Sequence, residues 1–247
     1  QAGTIEAAEI RLGDQTAASP ASITRNFNFS GGTVRNIDGG DLTISNVPVN
    51  LTGSGTRVFE ATADQSITID ADSVIGGAGG FTKAGAGTMV IESSSTYTGD
   101  TLVSAGTMLV SGALGDTAVT VGSAGTIGGD GSIGGLLHLD AGAGFVFDPL
   151  TTLTVNGTSV SFGGFGITDL VGFGSSVANG TYTLINGSAT FDFANVSNFG
   201  EENAYDLGGG RIAYFEAGSL NLVVVPEPAT CLLGGIGALL LLRRRRF

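Results

Sequence analysis

Across most of this chain no apolar run is long enough to bury a core by itself. The stretch Gly80 to Gly112 shows the pattern most plainly, with apolar triplets at Met89-Val90-Ile91 and Met108-Leu109-Val110 and a shorter pair at Leu102-Val103. Glycines at 85, 87, 99, 106 and 112 fall between them, where positive φ or a close backbone approach is required. A triplet of this length is stable only when similar triplets lie one rung above and below it. Stacking completes its backbone hydrogen bonds and hides its side chains. The pattern therefore predicts an all-β chain, a right-handed parallel β-solenoid. A β-sandwich is the alternative.

Composition supports stacking over disorder. The 247 residues include 43 glycines, only 5 prolines, no tryptophan and 42% hydrophobic residues. Charge excludes some partners. The chain carries −12 overall, and four of its ten cations are Arg243 to Arg246. Such an acidic body is repelled by nucleic acid and by anionic membrane surfaces. The single cysteine, Cys231, rules out an internal disulfide. The chain opens Gln1-Ala2-Gly3, so either a signal peptide has been removed or the start is a fragment.

From Ser22 a two-residue alternation begins, with Phe27 and Phe29 on one side and Asn26 and Asn28 on the other. Strands are predicted near Thr33–Ile37, Asp41–Ser45, Arg57–Ala61 and Ser66–Asp70. Their spacing suits two or three strands per rung. The rung rhythm returns in 118–157, so residues 1–157 read as the solenoid. Residues 158–225 are richer in Phe and Tyr, with longer strands at Thr181–Ile185, Arg211–Glu216 and Leu220–Val225. They read as a C-terminal β cap, since an open solenoid end exposes unpaired backbone and core. A separate β domain is the alternative.

Residues 80–112 resemble the autotransporter-associated β-strand repeat. The matching segments are Gly80 to Ile91, Thr96 to Thr101 and Ala105 to Val110. The resemblance covers about an eighth of the chain. It implies a parallel solenoid exported to a surface, and it implies no chemistry.

Chemistry candidates are few. His138, the only histidine, alternates with leucines and so faces away from them beside Asp140. A Ser-His-Asp hydrolase uses such a pair, but no G-x-S-x-G elbow is present. One His and one tail Cys do not build a zinc site. Asp70 and Asp72 lie two apart on a predicted strand, which would put both carboxylates on one face, with Arg57 and Glu60 as candidate neighbours. Paired carboxylates are what a polysaccharide-active β-helix enzyme would need. Gly128 to Ile133 departs from the calcium nonapeptide at Ile133, where the ligating Asp belongs. No cofactor is expected.

The tail, 226–247, breaks the pattern. Pro226-Glu227-Pro228 stops the preceding strand and suits a helix start. Ala229 to Leu242 is uncharged and apolar, a short single transmembrane helix, and Arg243, Arg244, Arg245 and Arg246 would stay on the cytoplasmic side. This order resembles the PEP-CTERM sorting signal of exopolysaccharide-producing Gram-negative bacteria. The resemblance implies an inner-membrane-tethered intermediate, cleavage near Pro-Glu-Pro by an exosortase, and delivery to the surface or extracellular matrix. The expected role is structural or adhesive and non-enzymatic, with exopolysaccharide or other matrix components as candidate partners; a polysaccharide-active β-helix enzyme is the alternative.

Overall fold

A computed structural model describes residues 3–11 and 26–227. The chain winds as a three-sided parallel β-solenoid. The first turn supplies β1 (Thr4–Ala7), β2 (Glu9–Arg11) and β3 (Phe27–Phe29). The second supplies β4 (Gly32–Asn36), β5 (Leu42–Ser45) and β6 (Val49–Leu51); the third, β7 (Arg57–Glu60), β8 (Ser66–Ile69) and β9 (Ile75–Gly76). The fourth has β10 (Phe81–Ala84) and β11 (Thr88–Ile91), with a single bridge from Ser94 to Ala113 on its third side. Then come β12 (Thr101–Val110) with β13 (Ala113–Leu114), and β14 (Val119–Gly128) with β15 (Ser132–Ile133). The last two full turns are β16 (Leu137–Leu139), β17 (Gly144–Val146) and β18 (Leu153–Val155), then β19 (Ser159–Phe162), β20 (Leu170–Val171) and β21 (Gly180–Asn186).

Each strand pairs in parallel with its counterpart one turn away, so identical faces stack. On the first face the register Val34–Phe59–Lys83–Val103–Val121–Leu139–Phe162 runs unbroken from turn to turn. Every member of this column points inward and is buried. Apolar burial at about 1.5–3 kcal/mol per large side chain is what holds the turns together. A second internal series is aromatic. The rings of Phe29, Phe59, Phe81 and Tyr97 follow one another at centroid distances of 5.3, 5.3 and 5.4 Å.

The strands read from alternation appear within about a residue of their expected bounds. The triplet reading needs one correction. Leu102-Val103 and Met108-Leu109-Val110 are not separate strands with a turn between them. They are two halves of β12, bent by a register shift between Val103 and Ala105, so one strand serves two faces. β14 repeats the arrangement.

Parallel stacking continues past residue 157, through β19, β20 and β21 to β22 (Thr190–Asp192), which pairs with β19. The remaining strands are β23 (Tyr205–Asp206), β24 (Arg211–Glu216) and β25 (Leu220–Pro226), all paired antiparallel. β25 lies along the edge of β21, so the last strand of the third face is not left with unpaired backbone. Among the described residues no helix is long and apolar enough to cross a membrane. The transmembrane helix expected at 229–242 lies outside the described residues.

Candidate functional site

Among the buried polar residues of the repeat segment are Lys83, Tyr97 and Thr101, each fully or almost fully buried. Alternation in Phe81-Thr82-Lys83-Ala84 turns Lys83 to the same side as Phe81, into the core column. Its ammonium sits at the bend between the first two faces. It donates to the carbonyls of Ala84 at 3.0 Å and Gly85 at 2.8 Å in its own turn, and to Ala105 at 2.9 Å in the next. Burial lowers its pKa from 10.5 to about 8. The three carbonyl contacts oppose that shift, because they favour the charged form.

The bend between the third and first faces uses hydroxyls instead. Tyr97 Oη lies 2.7 Å from Thr101 Oγ1, which lies 3.1 Å from Thr117 Oγ1. Thr117 completes the chain by donating to the Gly99 carbonyl at 2.7 Å. Burial pushes the Tyr97 phenol far above its usual range, so it stays neutral and serves as a hydrogen-bonding group only. Arg57 does at its own turn what Lys83 does at the next. Nearly buried, it donates to the carbonyls of Gly53, at 2.8 Å, and Gly55. These side chains supply donors where the ladder bends and backbone acceptors would otherwise lack them.

On the outside, the structure brings together three groups with triad chemistry. His138 faces out between two buried leucines, as expected, with Nε2 3.3 Å from Asp140 Oδ1. Its Nδ1 lies 2.8 Å from Ser161 Oγ, one turn on. The sequence reading missed Ser161. Its position opposite His138 depends on a register across 23 residues, and the turns differ in length. Two backbone N–H groups beside this trio are committed to the ladder: Asp140 N–H donates to the Val121 carbonyl at 2.9 Å and Gly163 N–H to the Leu139 carbonyl at 2.7 Å.

The paired-carboxylate expectation is corrected. Asp70 follows the last residue of β8, and Asp72 lies in the turn after it, where Ser73 N donates to the Asp70 carbonyl. They do not share a strand face, because the strand ends before either residue. Arg57 is occupied with carbonyls, and Glu60 lies 3.8 Å from Arg35, so neither completes a site with them. Among the described residues no three His, Cys, Asp or Glu side chains gather to hold a metal ion. Of the tail residues, Pro226 ends β25 and Glu227 donates its N–H to the Gly210 carbonyl at 2.8 Å; both are exposed. Pro228 and Arg243, Arg244, Arg245 and Arg246 lie outside the described residues.

The family model of the passenger-associated transport repeat matches residues 81–110, the segment from β10 to the end of β12. No curated protein and no solved structure matches the chain. The molecule is thus a parallel β-solenoid that carries a passenger-type repeat in its middle turns.

Proposed function

We propose that this is an exported, surface-associated β-solenoid with a structural or adhesive role and no catalytic one, wound in the right-handed sense that nearly all parallel crossovers adopt. The observation that carries the reading is the passenger-type repeat at 81–110 inside a continuous solenoid. The repeat's distinctive polar residues, Lys83, Tyr97 and Thr101, are consumed in building bends and leave none of their donors for a ligand.

The tail directs the sorting in this proposal. Its support is the order Pro226-Glu227-Pro228, apolar run, Arg243 to Arg246. An apolar run of 14 residues makes a helix of about 21 Å against a hydrocarbon core of about 30 Å, so it would hold the chain only briefly. An exosortase-type enzyme would then cut near Pro-Glu-Pro and release the body from the inner membrane of a Gram-negative cell to the surface or exopolysaccharide matrix. The acidic body makes nucleic acid an unsuitable partner.

Mass spectrometry of the surface-associated protein from its native host tests this. The expected mature form lacks the apolar run and Arg243 to Arg246. An intact Phe247 on surface protein would overturn the sorting reading and leave an ordinary anchor.

A further inference from the structure

Near the C-terminal end of the solenoid a cleft of about 420 Å³ opens between the segment Ile167–Ser175 and the β23–β24 hairpin. Phe173 and Tyr205 contribute rings to its lining, and Tyr205 is 39% exposed. Thr168, Ser175 and Asp206 add polar groups. Asp206 commits one oxygen to the Gly208 N–H at 2.6 Å, which fixes the carboxylate and leaves its second oxygen uncommitted. The hydroxyls of Thr168, Ser175 and Tyr205 make no hydrogen bond within the described protein.

The cleft is held open from behind. Arg211 donates to the Ser175 carbonyl at 2.8 Å, to Asn179 Oδ1 at 2.9 Å and to the Val177 carbonyl. One side chain on β24 thereby pins the loop that forms the opposite wall. A ligand entering the cleft would not have to order that loop first.

We infer that this cleft binds a neutral hexose unit of a polysaccharide. A pyranose ring has an apolar C–H face that lies against an aromatic ring, and equatorial hydroxyls that donate to a carboxylate. Tyr205 and Asp206, both lining the cleft, supply one of each kind of contact. The volume falls within the range of small-molecule sites. Charge decides against acidic sugars and phosphates: no Lys, Arg or His lines the cleft, and the whole chain carries −12. The inference deepens the surface reading above by naming a matrix ligand. Its own support is the cleft.

The test is calorimetric titration of the full chain in detergent. The probes are neutral tetrasaccharides of glucose, mannose and galactose, an oligouronate as the anionic probe, and spermidine as the cationic one. At least one neutral tetrasaccharide should bind, and Tyr205→Ala and Asp206→Asn should each weaken it by about tenfold or more. His138→Ala, on a lateral face, should leave it unchanged. Asp206→Asn keeps an oxygen for Gly208, so its loss of binding would not be a folding defect; circular dichroism checks both variants. Binding of spermidine or oligouronate alone, binding that survives both variants, or no binding at all overturns the inference. None of those outcomes touches the C-terminal processing test, and an uncut tail would not touch the cleft.

Discussion

Lys83 donates a 2.9 Å hydrogen bond from inside the solenoid to the carbonyl of Ala105, one turn further along the chain. A lysine in the core column, flanked by Phe59 and Val103, joins the bends of two successive turns. The cost of burying the ammonium shows in its lowered pKa of about 8.

That pKa predicts an unusual pH dependence. Between about 8 and the ordinary 10.5 the unfolded chain holds more protons at this site than the folded one, so stability rises with pH across that window. The burial penalty is complete below pH 8 and gone above 10.5. Lys83→Met removes the effect. Relative to that variant, the native chain should gain on the order of 1–3 kcal/mol between pH 7 and pH 10.5, read as a widening difference in thermal midpoint. Parallel curves for the two proteins would mean that Lys83 is solvated.

The hydroxyl chain at the other bend predicts coupling. Tyr97→Phe leaves Thr101 short of a partner, and Thr101→Val leaves both Tyr97 and Thr117 short. Each should cost about 1–3 kcal/mol, because each strands a buried polar group. The double variant should cost clearly less than the sum. Denaturant unfolding of all three measures this, and simple additivity would show that the hydroxyls act independently.

These two bends mark where the sequence could be read and where it could not. Alternation located β4, β5, β7 and β8 because a two-residue period needs only neighbours along the chain. The same alternation aims Lys83 inward, yet one of the three carbonyls it reaches, that of Ala105, belongs to a bend 22 residues away. The Ser161–His138 contact is hidden for the same reason. Turn lengths vary, so which residues stack is settled by packing and not by local pattern. The paired-carboxylate idea failed at a boundary: β8 ends at Ile69, one residue short of Asp70.

Two glycines in the repeat are required for different reasons, and substitution should separate them from their surroundings. Gly106 takes a positive φ of +66°, and a Cβ there would lie 2.4 Å from the Gly85 and Gly87 carbonyl oxygens. Gly99 is not among the positive-φ residues, but a Cβ there would meet Gly80 N at 2.2 Å. Its constraint is the close passage of the neighbouring turn. Gly99→Ala and Gly106→Ala should each cost roughly 2 kcal/mol or more. Ser94→Ala, at an exposed position, should stay within about 0.5 kcal/mol. Equal effects at all three positions in urea unfolding would contradict this account of the bends.

β25 pairs with β21 on one side and β24 on the other, so it both covers an edge and buries Leu220, Leu222 and Val224. Its last residue is Pro226, and the Glu227 N–H makes the final bond, to Gly210. A chain ending at Glu227 therefore keeps the ladder bonds of β21, β24 and β25. It should match the full chain both in thermal midpoint and in association state by light scattering. A chain ending at Gly218 loses β25, uncovering the edge of β21 and the apolar groups beneath. It should associate edge to edge or fail to fold. Cutting at the Pro-Glu-Pro would then cost the folded body nothing, as a cleavable tail requires. A monomeric, equally stable chain ending at Gly218 would show that the solenoid does not depend on its antiparallel end.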